Sequence, residues 1–471
     1  EFDKECITNR DRMFDCPQNL REEEMFEVPE WAANKVVYQI FPSRFAATEP
    51  VDKELWYKAP ITPMDDLHGN LRGIIEHMDD IQNLGIDVLY MTPIFQSNSC
   101  HKYDTTDYYQ IDPSFGTTED LKELVQKAHE RGMKVVLDAV YNHTGREFFA
   151  FADILENGEK SKYRDWYFID GFPLKSEWGE IPNFKCFGYY GGMPKLNLKN
   201  PEVEKYITDV ACYWIKECDI DGWRLDVGDE ISHFFWKNFR KAVKAVKKDM
   251  LIIGEIWHYA GDFLEGDEWD TVMNYPFYLN LIDLLADEKI TVSQFVQNLG
   301  YLKGRLHKNC YPLMWNLIDS HDTARFLHLC NDNKKKQHLA AAFQLLLPGM
   351  PMIYYGDEYA MPGANDPDCR RGMYWDEEYQ DKEMYEWYKR LIQVRKSHAC
   401  IVEGELAGSV TEDEEGTVVL IRKNGEETIA MIFNCSSSAK KFNEYTQKYN
   451  LLTENTFDGN VEGFDAAVIV L

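Results

Sequence analysis

The chain has 471 residues, 44% hydrophobic and 14% aromatic, enough for a large core and for two to four domains at roughly 150 residues each. Its 80 acidic against 51 basic residues leave a net charge of −29, which repels nucleic acid and anionic membrane surfaces and points to a neutral partner. No run of about eighteen apolar residues occurs that would span a bilayer.

The opening EFDKECITNR is too charged for a signal peptide, so a cytoplasmic protein is expected, or a secreted one if a leader has been removed. KVVYQIF, from Lys35, reads as the first strand, followed by a helix from about Leu71. IDVLYMTP is the second strand and a helix follows Thr118. MKVVLDAVYNH, DGWRLDV, MLIIGEIW, TVMNY, PLMWNLIDSHD and PMIYYGDE continue the series. Near-continuous apolar runs suit strands buried on both faces, and their alternation with helices implies parallel βα units. Eight such units imply an α/β fold closed as a (β/α)8 TIM barrel.

Between the third and fourth strands lies WYFIDGFPLKSEWGEIPNFKCFGYYGGMPKLN, rich in Gly, Pro and aromatics and without helical period. It reads as a protruding subdomain over 143–200. After about Lys396 the pattern changes to short strands, TVVLIRKNG, ETIAMIFNC, KYNLLTENT and DAAVIVL, hence a C-terminal antiparallel β-sandwich. The expected domains are therefore 1–142, the first part of the barrel with an N-terminal extension over 1–30; 143–200, the insertion; 201–395, the rest of the barrel; and 396–471, the sandwich.

Barrels of this kind carry their sites at the C-terminal ends of the strands. Polar residues at those ends are Asp138, Asn142 and His143, then Arg224 and Asp226, then Glu255, then His321 and Asp322. Arg224 and Asp226 stand two apart and share a face of their strand; alone, the pair reads as a salt bridge at a strand end. Several carboxylates converging on one mouth are not explained by folding, because like charges repel across a shared cavity.

DAVYNH, GWRLDV, GEIW and LIDSHD, in that order, resemble the four signature segments of the α-amylase superfamily, glycoside hydrolase family 13. MPKLN (Met193 to Asn197), HKYDTTDYY and NDPDCRRGMYW are similar to its cyclomaltodextrinase, neopullulanase and maltogenic amylase branch. The resemblance implies a retaining glycosidase in which Asp226 is the nucleophile, Glu255 the general acid/base and Asp322 the third carboxylate. Arg224 is then expected to hold Asp226 ionised by lowering its pKa, and burial to raise Glu255. His143 and His321 would donate to sugar hydroxyls, Tyr103 would stack on the same sugar, and Trp257 would serve the leaving-group side. Asp366 and Arg370 match sugar contacts on the far side, with a plain loop ion pair equally open. Asp138 and Asn142 would support the site.

The implied substrates are maltooligosaccharides, cyclodextrins, pullulan or starch, cleaved at α-1,4 and also α-1,6 bonds, with transglycosylation as a side activity. An oligo-α-1,6-glucosidase is the alternative on the same fold. A catalytically inactive sugar-binding or transporter-partner barrel would have lost a carboxylate, and all three are present. No cofactor is required. SRFAATEP, after the first strand, offers few oxygen ligands for calcium, and a second calcium position near Asn142 stays open. Members of the branch carry an extra N-terminal β-domain that builds a dimer; only about 30 residues precede the first strand here, so a monomer is expected. The 11 cysteines, scattered and without paired spacing, read as reduced core thiols.

Overall fold

Each of the eight expected barrel motifs marks one parallel strand: β1 (Val37–Ile40), β2 (Val88–Met91), β3 (Lys134–Ala139), β4 (Gly222–Leu225), β5 (Leu251–Gly254), β6 (Thr271–Val272), β7 (Trp315–Asn316) and β8 (Met350–Tyr354). The computed structural model describes residues 27–175 and 181–471, so the expected N-terminal extension lies almost wholly outside the described residues. Neighbours pair in the order β6-β5-β4-β3-β2-β1-β8-β7. A parallel bridge from Met273 to Trp315 brings the two end strands together and nearly closes the barrel.

The strands sort their own side chains by period two. Val37, Val88, Tyr90, Val136, Leu251, Ile253, Met350 and Met352 form one cluster inside the barrel. The alternate residues Tyr38, Leu89, Val135, Leu137, Ile252 and Ile353 join the larger core under the helices. The helices start where capping chemistry puts them. Thr117 and Asp120 form a reciprocal capping box at the start of Thr118–Glu130, and Asn200 caps Pro201–Cys218, whose first residue is proline.

Two connections shape the barrel mouth. After β2 a small hairpin pairs Phe95–Ser97 with Thr105–Ile111, and its linking segment carries Tyr103. After β3 the chain runs through a helix, Phe149–Asn157, and irregular segments bridged at Ile169 to Phe184 and Cys186 to Pro194. A bridge from His143 to Lys195 pins the end of this excursion to its beginning.

The C-terminal sheet is antiparallel, built on β9 (Glu405–Glu412), β10 (Thr417–Asn424), β11 (Glu427–Asn434) and β12 (Asp465–Val470), paired in that order, with two short strands beyond. Its second layer is small, a ribbon pairing Lys440–Lys441 with Asn460–Val461. Val419, Ala430, Ile432, Ala467 and Ile469 face that ribbon side, with Phe442, Phe457 and Val461. Val418, Leu420, Met431, Phe433 and Val468 face the barrel, where Phe433 stacks on Phe343 at 4.2 Å. β9 escaped the sequence reading because its residues are mostly exposed and carry no apolar alternation. All nine cysteines among the described residues are free thiols, five of them buried and four half-buried. No helix among the described residues is long and apolar enough to cross a membrane.

Gly254 lies at the end of β5, directly before Glu255. A Cβ there would sit 2.1 Å from the Trp269 ring. Overpacking of this kind costs about 1–3 kcal/mol. Gly254→Ala is therefore expected to lower the urea midpoint at unchanged slope; a variant as stable as the parent would mean that Trp269 yields freely.

Candidate active site

The barrel interior turns polar one step above its last apolar layer. Gln39 follows Val37, Asp138 follows Val136 and Glu255 follows Ile253 in the same inward phase. Arg224, two residues after Gly222, is fully buried among them. Its Nη1 donates to both oxygens of Asp138 at 3.0 Å and to Asp226 Oδ1 at 3.0 Å. Its Nη2 lies 2.9 Å from Glu255 Oε2 and 3.9 Å from Asp322 Oδ2. The Glu255 contact is an oblique ion pair, since Nη2 makes no aligned hydrogen bond. One guanidinium thus serves four carboxylates. Arg370 offers the nearest further cation, with Nη2 3.4 Å from Asp322 Oδ1 and Nη1 2.8 Å from Asp366 Oδ1.

This imbalance sets the electrostatics. Burial pushes Asp138 up to about 6 against the pull of Arg224. Burial and then the Glu255 charge raise Asp226 well above the usual carboxylate range, and Arg224 only partly offsets them. The expectation that Arg224 would hold Asp226 low is thus reversed, because desolvation and a second carboxylate outweigh one shared cation. Glu255 is raised as expected, by burial, with Arg224 opposing and Asp322 adding to the rise. Asp226 and Glu255 therefore titrate as a pair that readily keeps a proton.

Backbone geometry contributes directly. Val227 sits in the left-handed region at φ 47°, ψ 45°, costly for a β-branched residue. That turn aims its N–H at Glu255 Oε2, 2.9 Å away. Trp257 donates its indole N–H to Glu255 Oε1 at 3.2 Å and stacks on Tyr275 at 3.9 Å. Asp226 Oδ2, by contrast, has no hydrogen-bond partner among the described residues.

On the opposite wall, His321 is fully buried between Gln39 and Tyr103. Its Nε2 meets the Tyr103 hydroxyl and lies 3.3 Å from Asp322 Oδ2. Tyr103 in turn donates to Asp138 Oδ2 at 3.0 Å, and Tyr90 donates to the same oxygen at 2.7 Å. Arg370 Nε donates to the His321 carbonyl at 2.8 Å. His143 is buried under Phe187, whose ring stacks on it at 5.1 Å, and its Nε2 has no partner among the described residues.

Asn142 lies to the side. Its amide N–H donates to Glu230 Oε2 at 3.1 Å. The Lys195 ammonium donates to Asn142 Oδ1 and reaches Glu230 Oε2 at 3.1 Å. Calcium does not fit this position, because a lysine ammonium already occupies the oxygens a hard cation would need. Among the described residues no group of three or more His, Cys, Asp or Glu side chains forms a cation site.

The structure brings Asp138, Arg224, Asp226, Glu255, His321, Asp322, Tyr103 and Arg370 into one connected network, with Asp366 on its rim and Trp257 beside Glu255. The sequence reading overlooked Gln39, Tyr90, Tyr275, Lys195 and Phe187. Gln39 and Tyr90 carried a usable signal, a polar group inside a strand buried on both faces. Phe187 carried none; only the folding of the insertion delivers it to His143.

A family model for the alpha amylase catalytic domain matches residues 39–404. A cyclomaltodextrinase from Geobacillus thermopakistaniensis is 46% identical over 90% of this chain and 72% of its own length. Neopullulanase 2 from Thermoactinomyces vulgaris is 42% identical over 88% of this chain and 72% of its own. The solved structure of a cyclomaltodextrinase superposes with a TM-score of 0.90 at 38% identity, covering 95% of this chain and 79% of that one.

His143 gives a pH signature. Burial depresses its pKa to about 3, against an ordinary value near 6.5, so the folded chain leaves the ring neutral where the unfolded chain protonates it. A lowered folded pKa means stability is complete above about 6.5 and is lost as pH falls towards 3. Asp138, held up at about 6, pulls the other way, so the readout is a difference between proteins. Between pH 6.5 and 4.5 the parent is expected to lose more stability to urea than His143→Gln does. Equal losses would mean that His143 is not kept neutral.

Proposed function

The chain belongs to the α-amylase family of glycoside hydrolases, and from that premise we propose that it is a retaining α-glucan hydrolase working through Asp226 and Glu255. The observation that carries this reading is the Arg224 fork, 3.0 Å from Asp226 and 2.9 Å from Glu255, which holds two raised carboxyls on the edge of one cation. That compact arrangement favours the spacing of about 5 Å found in retaining enzymes over the wider spacing of inverting ones.

A retaining mechanism requires the proton of the working form to sit on Glu255 and Asp226 to be ionised. Glu255 passes it to the glycosidic oxygen as the bond to C1 breaks, and the leaving sugar departs as an alcohol. Asp226 Oδ2, with no hydrogen bond to spend, attacks C1 and forms a glycosyl ester while Arg224 keeps Oδ1 in place. Glu255, now a carboxylate stabilised by the Val227 N–H, takes a proton from water, and the resulting attack on C1 releases Asp226. A sugar hydroxyl in place of that water gives transglycosylation. Asp322, steadied by Arg370, is suited to bind hydroxyls of the reacting sugar. Trp257, 43% exposed with one face on Tyr275, offers its other face to the leaving-group side.

The substrates are α-1,4-linked maltooligosaccharides, cyclodextrins and starch or pullulan fragments, with α-1,6 bonds within reach. Relatives named for cyclodextrin and pullulan support that choice. So does the acidic surface, with its net charge of −29, which favours neutral sugars over polyanions.

Asp226→Asn and Glu255→Gln are each expected to cut the rate on maltotriose by about a thousandfold or more without loss of fold. NMR of the first product should give the α-anomer; a β-anomer would contradict retention. Turnover of isomaltose well above that of maltotriose would instead mark an oligo-α-1,6-glucosidase.

A further inference from the structure

Gln39 is a polar side chain in the middle of a strand buried on both faces, and neither the expected catalytic set nor the family segments quoted above include it. Its amide nitrogen lies 2.7 Å from His321 Nδ1. Its amide oxygen has no partner among the described residues, a cost of about 1–3 kcal/mol that an apolar side chain would avoid. The gain must lie in the N–H.

Following the protons outward fixes their direction. Asp138 accepts from Arg224, Tyr90 and Tyr103. Tyr103 has one hydroxyl proton, and donating it to Asp138 leaves only its oxygen lone pairs for His321 Nε2. Nε2 also faces the Asp322 carboxylate at 3.3 Å, which likewise can only accept while ionised. Both neighbours therefore demand that Nε2 carry a proton. A neutral imidazole then has a bare Nδ1, which needs a donor, and the Gln39 amide supplies it. The reversed amide would place the proton on Nδ1, set an Nε2 lone pair against Asp322, and take the Tyr103 proton away from Asp138.

We propose that Gln39 is a positioning residue that locks His321 as its Nε2–H tautomer and through it orients the Tyr103 ring and the Asp322 carboxylate. The Tyr103 and His321 rings lie parallel within 6° at 5.5 Å, so turning one imidazole disturbs both partners. Burial, reinforced by the positive charges of Arg370 and Arg224, keeps the imidazole neutral, so its tautomer rather than its charge is the variable. The kinetic consequence rests on the glycosidase reading above; the tautomer does not.

Nitrogen-15 NMR of the whole protein without ligand tests this, with His321→Gln identifying the signals. Nε2 should show the protonated-type shift and Nδ1 the bare type; the reverse assignment overturns the proposal whatever the substrate is. Gln39→Glu, once ionised at high pH, presents only acceptors and should move the proton to Nδ1. It should also lower kcat/KM on maltotriose about tenfold to a hundredfold, chiefly in kcat, as misoriented groups do. A variant with the tautomer swapped and kcat unchanged would also overturn it. If Gln39→Glu does not fold, the parent spectrum still decides. A parent inactive on every glucan but carrying the Nε2–H form would sink the glycosidase reading and leave this one standing.

Discussion

Arg224 has no exposed surface, yet it meets Asp138 at 3.0 Å, Asp226 at 3.0 Å and Glu255 at 2.9 Å. Taking charges out of water is costly even when they are paired, and here the pairing is incomplete by design of the stoichiometry: one cation among several anions. The barrel supports that arrangement because its interior below the site is a buried apolar cluster. On β1, β3 and β5 one more inward step then delivers Gln39, Asp138 and Glu255. Removing Arg224 would leave carboxylates facing one another in a low-dielectric mouth, so orientation, protonation and local stability all pass through this one side chain.

The surrounding segments tune what that centre can do. Val227 stores backbone strain, and the result is an N–H aimed at Glu255. The insertion after β3 closes back on its own start at His143, lays Phe187 over that ring and sends Lys195 to Asn142 and Glu230. A fixed ammonium there supplies positive charge to both side chains.

Much of this was legible in the residues. Seven barrel strands fell inside the quoted motifs and β8 began one residue before its own, because strands buried on both faces write themselves as apolar runs. The polar residues at their ends were legible for the same reason, as interruptions of those runs. β9 was not, since an edge strand with exposed side chains leaves no periodic trace. The direction of the Asp226 shift was also misread. A neighbouring arginine in the sequence predicts a lowered pKa, but only the fold reveals that Asp138 and Glu255 compete for the same cation while burial raises both of them and Asp226. Gln39 passed as part of a strand, although its amide interrupts VVYQIF without ending the run.

The central claim is that Asp226 and Glu255 divide the work, one attacking the sugar and the other carrying its proton. Trapping with a fluorinated glucosyl fluoride, whose ester turns over slowly, followed by mass analysis of the intact protein and its peptides, tests that division directly. The account predicts a single glycosyl adduct on the peptide bearing Asp226, abolished by Asp226→Asn. An adduct on Glu255 or Asp322, or turnover with no adduct under conditions that trap an ester, would contradict it.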